Sequence, residues 1–321
     1  MRVTPDMIDV GLRPSLGRLR IISFALKTRW AAKLFGWLAR INKPKAPAGI
    51  LEEERTIPSA HGAHLIRTKI YRPADAEGAL PLLVYLHGGG YMLGVPEMFI
   101  DGIAAMIGRR PCVVVAPDYR KSFSDPFPAG FDDCYDALLW ARDHAAELGA
   151  DPDRIIVGGT SAGGGMTAAV SLKARDTGDV KIAFQLPIYP MIDDRLNLSS
   201  HQLEAPVWGA TSNAMGWDLY LAGLKKAGAA ISSYAAPARC EDYRDLPPTI
   251  TFVGSMEPFK DETEAYVANL RAADVPVSFE LFEGAYHSFE TFAADAPISQ
   301  RAQTFLLDQW AAYMDRYCGP R

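Results

Sequence analysis

The chain has 321 residues, 49% hydrophobic and 22% charged, with a formal net charge of −5. Those proportions are ordinary for a globular protein and exclude disordered and fibrous classes. No apolar run is long enough to span a bilayer, and the length allows either two average domains or one large α/β domain with an insertion.

Residues 1–50 hold ten Lys or Arg and two Asp or Glu, a net of +8 that leaves −13 for the remainder. Within them Leu26, Trp30, Leu34, Trp37, Leu38 and Ile41 recur at helical spacing, while Lys27, Arg29, Lys33 and Arg40 lie off that row. Most amphipathic helices of soluble chains bury their stripe, so we expect this helix to dock its apolar face on the acidic core. Lying on an anionic membrane is the alternative for a basic helix carrying tryptophans.

Beyond Pro44 and Pro47 the pattern changes to strands. Residues 51–58 and 63–71 flank Ala60-His61-Gly62, which reads as a hairpin turn. Apolar runs follow at Leu82–Leu86, Cys112–Ala116, Arg154–Val157, Ile182–Leu186, Ile250–Val253 and Val277–Phe282. Helices are predicted along the row Phe131, Cys134, Leu138, Ala141, Ala145, Leu148, and near 162–175, 261–273 and 298–316. Strands alternating with helices imply a mostly parallel sheet covered on both faces, with the opening hairpin as an antiparallel edge. Residues 191–235 break the rhythm with Trp208, Trp217, Tyr220 and a helix from about Asn213 to Leu224. Such an insertion belongs above the carboxyl ends of the strands, where open α/β sheets bind ligands. The expected division is a helical cap segment over 1–50, a catalytic α/β core over 51–190 and 236–321, and a cap insertion over 191–235.

Cys112, Cys134, Cys240 and Cys318 show no C-x-x-C spacing, which argues against a zinc knuckle or a thioredoxin-like site. The first residues carry no secretory leader pattern, so a cytoplasmic protein with reduced thiols is expected. His61 and His64 have metal-like spacing but no carboxylate or cysteine nearby in the chain, and no zinc site is expected.

Two glycine-rich motifs carry the chemistry. Gly159-Thr160-Ser161-Ala162-Gly163 follows Ile155-Ile156-Val157 and precedes helix-forming residues, the strand–turn–helix context of a nucleophile elbow. It lacks the lysine of a P-loop and the spacing of a dinucleotide fingerprint. His87-Gly88-Gly89-Gly90 follows another strand and has the form of an oxyanion loop. The oxyanion donors would be the N–H groups of Gly88, Gly89 and Ala162.

A serine hydroxyl needs a base to become nucleophilic. Among six histidines only His287 lies in a loop after the last predicted strand, where the chain order serine, acid, histidine requires it. The acid belongs after Ile250–Val253, where Glu257 and Asp261 are candidates. Position favours Glu257, nearer the strand end, and the other carboxylate would cap the following helix. Tyr91 and Trp208, with Trp217, Tyr189 and Phe259, are candidates for an apolar substrate pocket. They fit lid packing equally well.

These residues resemble the bacterial hormone-sensitive-lipase-like esterases of the α/β-hydrolase superfamily. The likeness takes in His87–Gly90, Asp118-Tyr119-Arg120, Phe127-Pro128-Ala129, Asp151-Pro152-Asp153-Arg154-Ile155, the elbow and the loop ending at His287. Thr160 stands where an aspartate is commoner, Ser288 where a glycine is, and Glu257 where an aspartate is. The first and third resemble the branch with a Thr-Ser elbow and a glutamate acid. The resemblance implies an α/β-hydrolase fold with a helical cap, and cofactor-free hydrolysis of short- to medium-chain esters. It also suggests an edge-strand homodimer. A small-molecule ester is the expected partner, with no nucleic acid and no stable membrane insertion. Amidase, lactonase or acyltransferase activity would use the same triad. A non-catalytic binding module, as in plant hormone receptors that lost the histidine, fits less well because Ser161, Glu257 and His287 are all present. Haloalkane and epoxide hydrolases carry an aspartate at the elbow.

Overall fold

The computed structural model describes residues 1–62 and 64–319. Its helices and strands run, in chain order, α1 (Leu16–Ala25), α2 (Arg29–Ile41), β1 (Ile50–Pro58), β2 (Leu65–Pro73), β3 (Leu80–Leu86), α3 (Ile100–Arg109) and β4 (Val113–Pro117). Then come α4 (Ala129–Asp143), β5 (Ala150–Thr160), α5 (Ala162–Thr177), β6 (Ile182–Ile188), α6 (Ala210–Tyr220) and α7 (Ala222–Ala227). The chain finishes with β7 (Thr249–Gly254), α8 (Lys260–Ala272), β8 (Val277–Phe282), α9 (Phe289–Phe292) and α10 (Pro297–Tyr317).

The strands form one sheet in the order β1-β2-β4-β3-β5-β6-β7-β8. β3 and β4 are unbroken apolar runs because helices cover both sheet faces, and they pair in parallel. β1 and β2 pair antiparallel, and β2 pairs antiparallel with β4, which makes the expected hairpin edge. The first residue of the expected 63–71 strand lies outside the described residues.

The chain reverses direction across the sheet at β3. It passes through α3 to β4 on one side, then through α4 to β5 on the other, so β3 and β5 become neighbours. Loops at such a switch point part to leave a crevice at the carboxyl ends of the strands. Helix α3 was not legible because Gly102 and Gly108 lower its helix propensity, although its row Ile100, Ile103, Met106 and Ile107 is buried.

Of the row expected to dock, Leu26 is buried, but for the rest the expectation is overturned. Trp30, Leu34, Trp37, Leu38 and Ile41 are 43–65% exposed, and α2 meets the protein through Ala31, Ala32 and Phe35 instead. Helix α2 is apolar around more than half its girth, so one body can cover only part of it. Close approach favours the face with small alanines over the one with tryptophans. The amino-terminal segment is tied to the 191–235 insertion: Val3 N–H donates to Glu204 O at 3.1 Å, Lys27 pairs with Glu204 at 2.7 Å, and Val207 N–H donates to Ser23 Oγ at 2.9 Å.

Candidate active site

Ser161 caps the junction between β5 and α5 at φ 59° and ψ −121°, a backbone conformation that L-residues rarely adopt. The turn is this sharp because Gly159 and Gly163 let backbone meet backbone. A Cβ on Gly163 would lie 1.9 Å from Leu86 O, and one on Gly159 2.2 Å from the same atom. Leu86 ends β3, so the elbow is pressed against the start of the His87–Gly90 loop.

Three side chains form a relay. His287 Nε2 lies 3.0 Å from Ser161 Oγ, and His287 Nδ1 lies 2.5 Å from Glu257 Oε2. The other glutamate oxygen accepts the N–H of Gly254 at 3.0 Å, which fixes the carboxylate against the end of β7. Glu257 is fully buried and His287 is 4% exposed. The parallel pairing of β7 with β8 brings the acid and histidine loops together, and Met256 N–H donates to Ala285 O at 2.9 Å between them. Phe259 and Tyr189 hold the imidazole edge-on, with ring centroids 5.0 and 4.9 Å away. Asp261 faces elsewhere. Its Oδ2 accepts the Ser200 N–H at 2.8 Å and its Oδ1 the Lys260 ammonium at 3.1 Å, so it anchors residues 191–235, and the N-cap of α8 is Phe259.

Beside the serine, the backbone N–H groups of Gly88, Gly89 and Ala162 donate to no protein acceptor among the described residues. Ala162 is left free because it opens a helix. Gly89 sits at φ 128°, where a Cβ would strike Leu93 O at 2.3 Å, so the loop can turn its amides this way only with glycine there. His87 lies beneath the loop. Its ring stacks on Tyr119 at 4.3 Å, and the Tyr119 hydroxyl donates to His87 O at 2.8 Å. Burial pulls the His87 pKa down to about 3, which keeps the ring neutral and unsuited to act as the base.

Ser161 and His287 open into a cavity of about 600 Å³. Trp208, Val207 and Tyr189 line it, as do Ile22, Leu26 and Phe35 from the amino-terminal segment. It is also lined by Leu83, Tyr85 and Leu186 of the central strands, by Ala105 and Met106 of α3 and by Leu306 and Leu307 of α10. Tyr91, a candidate either for the substrate pocket or for lid packing, does not line it. Its hydroxyl donates to Met191 O at 2.6 Å and its ring stacks on Tyr220 at 4.0 Å, so it props the insertion from below. Trp217 is likewise buried in that packing, 5.5 Å from the Tyr91 ring.

Glu290 was missed. Its Oε1 accepts the Tyr189 hydroxyl at 2.5 Å, its Oε2 is buried with no partner among the described residues, and burial raises its pKa. A lone acid in Ser288-Phe289-Glu290-Thr291-Phe292, one turn past His287, was the available signal. His61 and His64 stand 3.8 and 3.7 Å from Asp132 and Asp133, carboxylates that sequence distance had hidden. No group of three potential ligands gathers around a metal position among the described residues.

A serine within reach of a carboxylate-held imidazole, with free amides beside it, can attack a carbonyl carbon and hold the resulting oxyanion. The sequence profile of the α/β-hydrolase fold matches residues 83–291. The chain is 33% identical to a carboxylesterase, NlhH, of Mycobacterium tuberculosis, over 82% of this chain and 84% of the relative. It is 32% identical to an arylesterase of Saccharolobus solfataricus, over 77% and 79%. The solved structure of a bacterial heroin esterase superposes with a TM-score of 0.88 at 31% identity, covering 97% of this chain and 99% of that one. Sheet order, elbow and relatives agree, and the chain belongs to the hormone-sensitive-lipase-like family of α/β-hydrolase-fold enzymes.

Proposed function

We propose that the protein is a serine carboxylesterase that hydrolyses short- to medium-chain esters through an acyl-enzyme. The hydrogen-bonded line Ser161–His287–Glu257, whose serine and histidine line an apolar cavity, carries this reading. His287 Nε2 takes the hydroxyl proton as Ser161 Oγ bonds to the ester carbonyl carbon. The carbonyl π electrons move to oxygen, and the N–H groups of Gly88, Gly89 and Ala162 stabilise the oxyanion. Glu257 holds the imidazole with its second nitrogen toward the serine and favours the imidazolium that forms. Collapse expels the alkoxide, which takes the proton from His287. Water deprotonated by His287 then attacks the acyl carbon, releasing the acid and the free hydroxyl.

Residues 1–50 and 191–235 serve as the cap in this reading. Both contribute cavity walls, through Ile22, Leu26 and Phe35 on one side and Val207 and Trp208 on the other. Ser161→Ala is the test. Turnover of p-nitrophenyl acyl esters should drop by about a thousandfold or more while the fold persists, and a fluorophosphonate probe should no longer label the protein. Undiminished turnover in that variant would remove the serine from the mechanism.

A further inference from the structure

We infer that the outer face of α1 and α2 is a docking surface for an anionic lipid bilayer, to which the protein adsorbs reversibly through Trp30, Trp37 and their apolar neighbours. This goes beyond the esterase reading and does not depend on it.

The exposed apolar residues of α2, Trp30, Leu34, Trp37, Leu38 and Ile41, follow the i, i+4, i+7, i+8, i+11 spacing of one helical face. Ile21 and Phe24 of α1, which touches α2, are also 77% and 59% exposed. Contiguous exposure on this scale marks an interaction surface rather than scattered surface residues.

Charge identifies the occupant. Arg29, Lys33 and Arg40 form a row along the flank of the stripe, and Arg18, Arg20 and Lys45 are exposed nearby. Arg20, Arg29, Lys33 and Lys45 make no ion pair among the described residues. Tryptophans beside cations suit the interface between acyl chains and anionic headgroups. A second copy of this chain would bring the same cations against them and be repelled. Ile22 of α1, Phe35 of α2 and Leu26 between the two helices line the cavity, so adsorption would hold the cavity close to the lipid.

The test is flotation of the full-length Ser161→Ala protein with phosphatidylcholine vesicles, with or without phosphatidylserine as the minor component. The inert serine variant separates lipid binding from catalysis. Binding is expected to the serine-containing lipid, weakened by salt, and about tenfold weaker to phosphatidylcholine alone. Tryptophan emission should shift to the blue on binding. Trp30→Gln with Trp37→Gln should weaken binding about tenfold, and the same pair in the wild-type background should leave hydrolysis of a water-soluble ester unchanged. Arg29→Gln with Lys33→Gln should reduce both affinity and its salt dependence. Failure to bind anionic vesicles at low salt, equal binding to both vesicle types, or equal binding by the tryptophan variant overturns the inference. A dimer seen by sedimentation velocity and dissolved by those tryptophan changes, without vesicle binding, assigns the face to a second copy and also overturns it.

Discussion

His287 Nε2 stands 3.0 Å from Ser161 Oγ although 126 residues separate them in the chain. Serine follows β5 and histidine follows β8, with β6 and β7 between. The histidine loop closes that gap by folding back over the strand ends, held by Gly284 N–H donating to Ser255 Oγ at 2.8 Å.

Replacing Glu257 with glutamine keeps the volume but presents an amide where a carboxylate holds the imidazole. The ring can then take the wrong tautomer and loses its charge partner. We expect kcat to fall about 10³–10⁴-fold with KM little changed. Steady-state kinetics on a p-nitrophenyl ester read this directly, and a loss below tenfold would deny Glu257 the role.

Gly163→Ala should be more damaging than a typical glycine substitution inside a helix. Its new methyl would lie 1.9 Å from Leu86 O and 2.7 Å from His87 C, both backbone atoms that cannot rotate away. Either β3 or the start of α5 must move, at a cost of about 3 kcal/mol or more, and the His87–Gly90 loop moves with it. Urea unfolding should show a lower midpoint, and the residual folded protein should be nearly inactive.

A second buried pair gives a pH dependence. His201 Nε2 lies 2.5 Å from Glu262 Oε2, and Glu262 Oε1 accepts the Ile192 N–H at 2.8 Å, tying the start of the insertion to α8. Burial raises the Glu262 pKa from 4.5 to about 7. Burial lowers that of His201, but the hydrogen bond and charge of Glu262 outweigh it and the net shift is upward. Both groups therefore bind protons more tightly folded than unfolded. Their contribution is fully present below the unfolded values and fades as pH rises through about 7. Melting temperature should decline across that window, and Glu262→Gln should flatten the decline. An unchanged slope in the variant would exclude the pair as its source.

Acyl length should be limited by the end of the cavity that Met106 of α3 and Leu307 of α10 line. Leu307→Trp fills that end without touching the serine. In a series of p-nitrophenyl esters, kcat/KM for acetate should hold within about twofold. That for the longest chain accepted by the wild type should fall about tenfold or more, since each buried CH₂ is worth about 0.8 kcal/mol. Equal losses for all esters would show that the acyl chain does not reach α10.

The sequence by itself determined the local chemistry: the elbow around Ser161, the His87–Gly90 loop, His287 after the last strand, and the alternation of strands and helices. Each is written in residues whose backbone needs are local, as when only glycine fits at Gly89 or Gly163. Other features were decided by packing. The choice between Glu257 and Asp261 rested on which carboxylate the adjacent loops turn inward. Tyr91 is absent from the cavity wall because residues 191–235 pack on it, and Glu290 joined that wall because α9 turns it toward Tyr189. That the α2 stripe faces outward was left open by the sequence, because helical periodicity locates an apolar face without saying what covers it. Side-chain pattern has only the range of one element, whereas burial is decided between elements far apart in the chain.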